Sequence, residues 1–469
     1  MSAKRVTTRE NHAGNFMHSP FPFTSFLLFS VLSILLLIGV LLRAKVTVLQ
    51  RFLFPSCLIG GAVGLILNSS GLLIIDAFAL ETFAFHLFNV SFISVGLTPS
   101  ETQQRTATKQ AALKGPLWMA LVQGITLPLQ AIIGGLVVIL FGLFGVELFA
   151  TFGFLAPLGF TEGPGQVLSI GKVWEQFGFA FASTIGLTFA AIGYLFAFFI
   201  GVPLVNWGIH KGLAAHGKQS IYRQTLDGIV PWDQKKEIAG KLTMLSGNID
   251  TFAFQTALVG LVYLLTYGFL SALSSMLPND AAKIIWGFFF IFGMIIALTC
   301  RWAMGRIGIV HTIDPGIQRR ITGWAVDYLI VATVMAIQLV IVWQYILPIA
   351  VTSVLSGFST LGVILYLGRR LDRFNLERTA VIYGTCTGTV SSGLLLLRIV
   401  DPEFKTPAAI EIGLMNVISM PIIGLCLVLV NAPVWWSWSV GLTCLVFAAM
   451  LFVCLGLIRV LGFWQNRKF

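Results

Sequence analysis

Two short stretches carry the residue types best able to do chemistry. The first reads Gly159-Phe160-Thr161-Glu162-Gly163-Pro164-Gly165-Gln166. Its glycines and proline cannot continue a helix, and a helix broken inside a membrane exposes backbone amides that attract an anion and carbonyls that coordinate a cation. Glu162 is the single carboxylate there. It can ligate Na⁺, carry a coupling proton or contact a substrate ammonium; the structural alternative is a carboxylate capping the next helix start. The second stretch reads Gly384-Thr385-Cys386-Thr387-Gly388-Thr389-Val390-Ser391-Ser392-Gly393 and holds hydroxyls and glycines but no charge. Hydroxyl and carbonyl oxygens are hard ligands suited to dehydrated Na⁺ or to substrate carboxylates, although Ser, Thr and Gly also serve close helix packing.

Other polar residues in apolar surroundings are few. Asp327, in Trp324-Ala325-Val326-Asp327-Tyr328, is either a coupling-ion ligand or a solvated acid near a helix start. Glu411 and Asn416 lie at i and i+5 and do not share one narrow face, whereas Asn416 and Ser419 can face one direction at i and i+3. Thr184 is the comparable mid-span residue of the first half. Arg398 faces an anionic solute or snorkels to the interface, and His86 reads as an interhelical hydrogen-bonder. The six cysteines, Cys57, Cys300, Cys386, Cys426, Cys444 and Cys454, show neither metal-type spacing nor a disulfide pattern. Nucleotide-binding, zinc-hydrolase and nucleophile-elbow motifs are missing, so no enzyme activity or cofactor is expected, and energy must come from an ion gradient.

The elements that must hold these residues are membrane helices. The chain is 57% apolar and 10% charged, where a soluble domain runs near 45–50% and about 25%. Its apolar runs do not alternate in polarity, which excludes a barrel. Crossings are expected at 23–42, 52–68, 82–98, 115–142, 178–206, 249–276, 283–300, 324–343, 346–367, 406–431 and 436–462. The polar tail 1–22 precedes them, and the first apolar run is too long for a signal peptide, so it is expected to be retained. Trp435-Trp436-x-Trp438 reads as an interfacial aromatic belt.

Stretches 147–171 and 379–398 are left out of the crossings, and charge supports this. With the N-terminus outside and both stretches entering and leaving on one side, only Lys4, Arg5, Arg9, Lys172 and Lys283 of the 30 basic residues fall outside the cytoplasm. Making either stretch a full crossing flips the later loops and destroys the bias. The net charge of +11 is thus an orientation signal rather than a nucleic-acid footprint. The inter-repeat loop 209–248 separates repeat 1 (23–208) from repeat 2 (249–432), each with four spans, a re-entrant hairpin and a fifth span. Because five is odd, the second repeat is inverted, an architecture common in secondary transporters. Residues 433–469 add an extra C-terminal span and tail, and the C-terminus is cytoplasmic.

These motifs resemble the bacterial sodium/glutamate symporter family over about residues 23–432. The likeness rests on Pro55-x-x-Leu58-Ile59-Gly60-Gly61, Ser94-Val95-Gly96-Leu97, the stretch Gly159 to Trp174 and the stretch Gly384 to Gly393. The resemblance implies an all-α inner-membrane homodimer with two inverted five-helix repeats, whose re-entrant loops meet midway and couple Na⁺ to L-glutamate uptake. The leading expectation for this chain is that Na⁺ is held by hairpin carbonyls with Thr161, Glu162, Thr387 and Thr389, in a site that includes Gly163, Gly165, Gln166, Thr385, Gly388, Ser391, Ser392, Asp327 and Asn416. Typical members have Gly-Gly-His-Gly-Thr where this chain has Phe160-Thr161-Glu162-Gly163-Pro164-Gly165, and Gly-His-Cys where it has Gly384-Thr385-Cys386. The histidines are replaced and a carboxylate is added, which opens the solute to another small organic anion. The competing expectations are a proton- or Na⁺-driven carrier of another carboxylate and, from a different class, a passive channel or a non-transporting scaffold.

Overall fold

A computed structural model describes residues 23–99, 109–215, 226–230, 232, 238–371, 373–402 and 405–464. The expected tail 1–22 and much of the loop 209–248 lie outside them. Every regular element among the described residues is helical. Nine helices among the described residues are long and apolar enough to cross a membrane, which makes the chain a multi-pass α-helical membrane protein.

Local sequence sets where many helices start. Asp76 accepts from the Ala79 amide and opens the helix Ala77–Leu97; Asp250 does so with Phe252 and Ala253, and Asp314 with Ile317, the last with Pro315 in the first helical turn. The long helices are α1 (Thr24–Lys45), α2 (Ser56–Ser69), α3 (Ala77–Leu97) and α4 (Lys109–Leu143). After the first broken stretch come α5 (Pro164–Gln176), α6 (Ala182–Phe199) and α7 (Gly201–His210), then α8 (Thr251–Ser275), α9 (Asn279–Gly287), α10 (Phe289–Arg306), α11 (Pro315–Met335) and α12 (Ile346–Gly368). The second broken stretch is α13 (Asn375–Thr387) and α14 (Val390–Val400), followed by α15 (Ala408–Val430) and α16 (Val440–Val460).

Two expected crossings differ. The run at 52–68 gives a helix of 14 residues, about 21 Å at 1.5 Å per residue, short of a bilayer core. The run at 324–343 becomes α11, which starts earlier because Asp314-Pro315 is a helix-start signal, plus a separate short helix Leu339–Gln344. The early start brings Arg319 and Arg320 into α11, so this helix is not among the nine.

Helices α1, α2, α3, α8, α10 and α11 form one packed group, in which α3 lies on α10 and α11, and α2 lies between α1 and α11. Helix α4 centres a second group, contacting α12, α15, α16 and both broken stretches. Burial follows this placement: 67% of the most apolar 18-residue window of Ala182–His210 is inside the protein, against 22% of that of Phe26–Lys45, whose outer face offers Ile34 and Leu37 to lipid.

Candidate functional site

The first broken stretch holds together through its own turns. A 3₁₀ turn at Phe152–Phe154 and one helical turn at Leu155–Pro157 lead into a wide π-type turn, Leu158–Glu162. Such turns are rare and cluster at functional sites. Gly163 then takes φ +90°, a conformation that suits glycine, and Pro164 starts α5. Phe149 and Phe179 stack at 4.8 Å, so the chain enters and leaves this unit at one place.

The second stretch is also folded back on itself, with α13 packed on α14. The limbs approach at two glycines: a Cβ on Gly384 would sit 2.7 Å from the Gly393 Cα. The turn between them is Gly388 and an extended Thr389. At the base, Arg378 donates through Nε to Glu411 (2.8 Å) and through NH2 (2.5 Å), which ties the start of α13 to the start of α15.

The two tips meet. Thr161 Oγ1 lies 3.1 Å from the Cys386 carbonyl and 2.9 Å from Gln130 Oε1, and donates its one proton to either. The Gln130 amide in turn donates to the Cys386 carbonyl at 3.1 Å and to Thr360 Oγ1 at 3.0 Å. Cys386 stands in the last turn of α13, where carbonyls lack helical partners and are free to accept from side chains or a cation. Gly163 backs onto the same tip, because a Cβ there would reach the Thr389 methyl at 3.0 Å.

Around this contact several buried polar atoms have no hydrogen-bond partner: Glu162 Oε1, Gln166 Oε1, Thr389 Oγ1 and the Tyr194 hydroxyl. Gln166 is the polar side chain beside the Glu162 carboxylate, and Tyr194 lies beside Thr389. No ion pair of Glu162 occurs among the described residues. Buried polar groups are normally paired, so unpaired atoms gathered at this contact keep bonding capacity that a ligand could use.

The remaining expected residues fall into three sets. Thr385 and Thr387 back-bond to the Val381 and Tyr383 carbonyls within α13 (2.8 and 2.7 Å), which leaves their oxygen lone pairs free. Ser392 is buried in the first turn of α14 beside Gly388, Ser391 is exposed on the same helix, and Gly165 is closed over by the Phe88 ring, a packing role. Asp327 sits on α11 beside Cys57 of α2, in the other group of helices. Asn416 is half-buried on α15, where its backbone carbonyl accepts from Ser419 at 3.4 Å. Thr184, 1% exposed, has an orphan hydroxyl.

Sequence reasoning missed Gln130 and Thr126, whose hydroxyl reaches the Cys386 sulfur at 3.3 Å. The signal was present: Gln123, Thr126 and Gln130 form one polar stripe at i, i+3 and i+7 on an otherwise apolar helix. It also missed a charged cluster at the base of the first unit. Lys172 Nζ bridges Glu81 (2.6 Å) on α3 and Glu175 (2.8 Å), and Ser183 Oγ lies 2.9 Å and 2.5 Å from the same two carboxylates. These residues line a pocket of about 320 Å³ together with Asp76, Thr184 and Gln338. The Lys172–Glu81 pair joins the second group of helices to the first. No protein-family model matches the chain, and no curated protein matches it.

Proposed function

We propose that this chain is a secondary active transporter that couples Na⁺ entry to uptake of glutamate or a related small organic anion by alternating access. The observation that carries the proposal is the meeting of the two helix breaks, Thr161 against the Cys386 carbonyl, beside the orphan Glu162 oxygen. In this reading the breaks are re-entrant hairpins from opposite faces. Each unit leaving where it enters supports that, through Phe149 with Phe179 and Arg378 with Glu411. The packing supports two inverted repeats: α1 on α2 has its counterpart in α8 on α10, α2 on α11 in α3 on α10, and α3 on α11 is its own. Na⁺ is held by the Cys386 carbonyl with Thr161, Glu162, Thr387 and Thr389, while freed amides at the hairpin turns take the solute carboxylate. The second group rocks against the first, and the chain works as a homodimer.

Labelled glutamate uptake into proteoliposomes tests this. An inward Na⁺ gradient should give accumulation above equilibrium, and uptake that ignores the gradient overturns the coupling. Conductance far above carrier turnover with no accumulation points instead to a channel.

One observation favours a second reading, a proton-driven carrier of a carboxylate. Glu162 is a half-buried residue whose buried Oε1 has no hydrogen-bond partner and whose carboxylate has no ion-pair partner among the described residues, and a site of that kind is suited to hold a proton. Glu162→Gln should then abolish the pH dependence of uptake while leaving solute binding in place. Retained pH dependence in this variant rejects the proton role.

A further inference from the structure

At the far end of α4 from the first broken unit, four chain segments converge on a small pocket of about 80 Å³, lined by Lys114, Arg370, Leu371, Arg378, Gly462 and Phe463 among others. Lys114 comes from the first turns of α4, Arg370 from the turn after α12, and Gly462 and Phe463 from the end of α16. The three cations are not equivalent. Arg378 gives Nε and NH2 to Glu411 and NH1 to the Arg373 carbonyl, so its charge and most of its donors are committed. Arg370 gives one donor, NH1, to the Tyr366 carbonyl at 2.7 Å. Its guanidinium is clamped between rings, 3.7 Å from the Tyr366 centroid and 5.1 Å from that of Trp464. That leaves a fixed, charged fork with further N–H groups to give. Lys114 is exposed at the rim.

Two uncommitted cations beside one neutralised pair give the pocket a net positive charge. The surroundings say which anion fits. Trp464 and Tyr366, ring centroids 5.6 Å apart, stand at the helix ends, where amphipathic rings sit at headgroup level in a membrane. Beside the pocket, Leu457 and Val460 of α16, Leu461 that follows them and Leu113 of α4 are exposed at 42%, 83%, 46% and 51%. A free phosphate has no use for that apolar track, whereas a lipid lays its acyl chains along it.

We infer that this pocket binds the phosphate of an anionic phospholipid, with Arg370 and Lys114 as the phosphate donors and α16 as the rail for the acyl chains. The site is independent of the transport reading. Occupancy pins the end of α16 to α4 and α12, so the lipid acts as a fastener for the extra C-terminal helix.

Native mass spectrometry of the full chain in detergent, titrated with phosphatidylglycerol and with phosphatidylcholine, tests it. Phosphatidylglycerol should be retained preferentially. Lys114→Ala and Arg370→Ala should each weaken that retention about fivefold, and together about thirtyfold, at roughly 1 kcal/mol per cation. Lys283→Ala, a basic residue outside this pocket, should leave it unchanged. Lys114 is exposed, so its variant keeps the test valid if the Arg370 variant misfolds. Equal retention of the two lipids overturns the proposal, as does full retention in Lys114→Ala. Displacement of the lipid by inorganic phosphate at equal concentration assigns the site to a free phosphate and also overturns it.

Discussion

Two buried polar regions of this protein are built from similar residues and behave in opposite ways. In the first group of helices, Ser94 Oγ donates to Gln318 Oε1 (2.6 Å), Gln318 Nε2 to Gln255 Oε1 (3.0 Å), and Gln255 Nε2 to the Thr312 carbonyl (2.8 Å). Donors find acceptors along the whole chain from α3 through α11 to α8. At the helix breaks, by contrast, Glu162, Gln166, Thr389 and Tyr194 each leave a buried polar atom unpartnered beside the Thr161–Gln130–Cys386 contact. An unmet buried group costs about 1–3 kcal/mol, so evolution removes such groups where the only task is holding helices together. The first region is a fastening. The second keeps unspent bonding capacity, which a bound solute or ion would use.

The sharpest way to break this comparison is in the fastening. Gln318→Ala removes the central link and leaves the Gln255 Oε1 without its donor, while Ser94 keeps the Gln318 backbone carbonyl. Unfolding in detergent should show a loss of about 1–3 kcal/mol. Uptake per folded molecule should change little. An activity loss without a stability loss would mean that this network belongs to the site and the contrast fails.

Thr161→Val is smaller in stability and larger in function. It removes a hydroxyl that can donate to Gln130 Oε1, while the Cys386 carbonyl keeps the Gln130 amide as a donor, so unfolding should shift by about 1 kcal/mol. Loss of one ion or solute ligand should lower uptake about tenfold, the equivalent of roughly 1.4 kcal/mol in binding. An unchanged concentration dependence on Na⁺ would remove Thr161 from the ion site.

Much of the architecture was legible in the residues themselves. Long apolar runs and the glycine-rich breaks at 159–166 and 384–393 name their own helices and turns, because neither lipid-facing length nor a helix-breaking cluster depends on neighbours. What the sequence hid is pairing across the fold. Gln130 reaches a carbonyl more than 250 positions away, and Glu81 finds Lys172 from another helix group; nothing in local spacing announces either partner. The short α2 and the early start of α11 were misjudged for a related reason: hydropathy averages over a window, while Pro55 and the Asp314-Pro315 cap act at single residues. The polar stripe Gln123, Thr126 and Gln130 was visible, and it pointed at the site.

The smallest effect is expected at Thr389, and its sign is the most telling. Thr389 is β-branched in an extended turn with φ −156°, and its hydroxyl is a buried orphan. Thr389→Val keeps the shape and the backbone preference while deleting the unmet group. In a fastening region such a swap would lose a bond and destabilise. Here, unfolding should stay level or rise by up to about 1 kcal/mol, because a desolvation cost disappears with the oxygen. Uptake should fall at the same time, since the proposed function makes that oxygen an ion ligand. Stability that drops with Thr389→Val would show the hydroxyl to be already engaged, and the two regions would then differ in degree only.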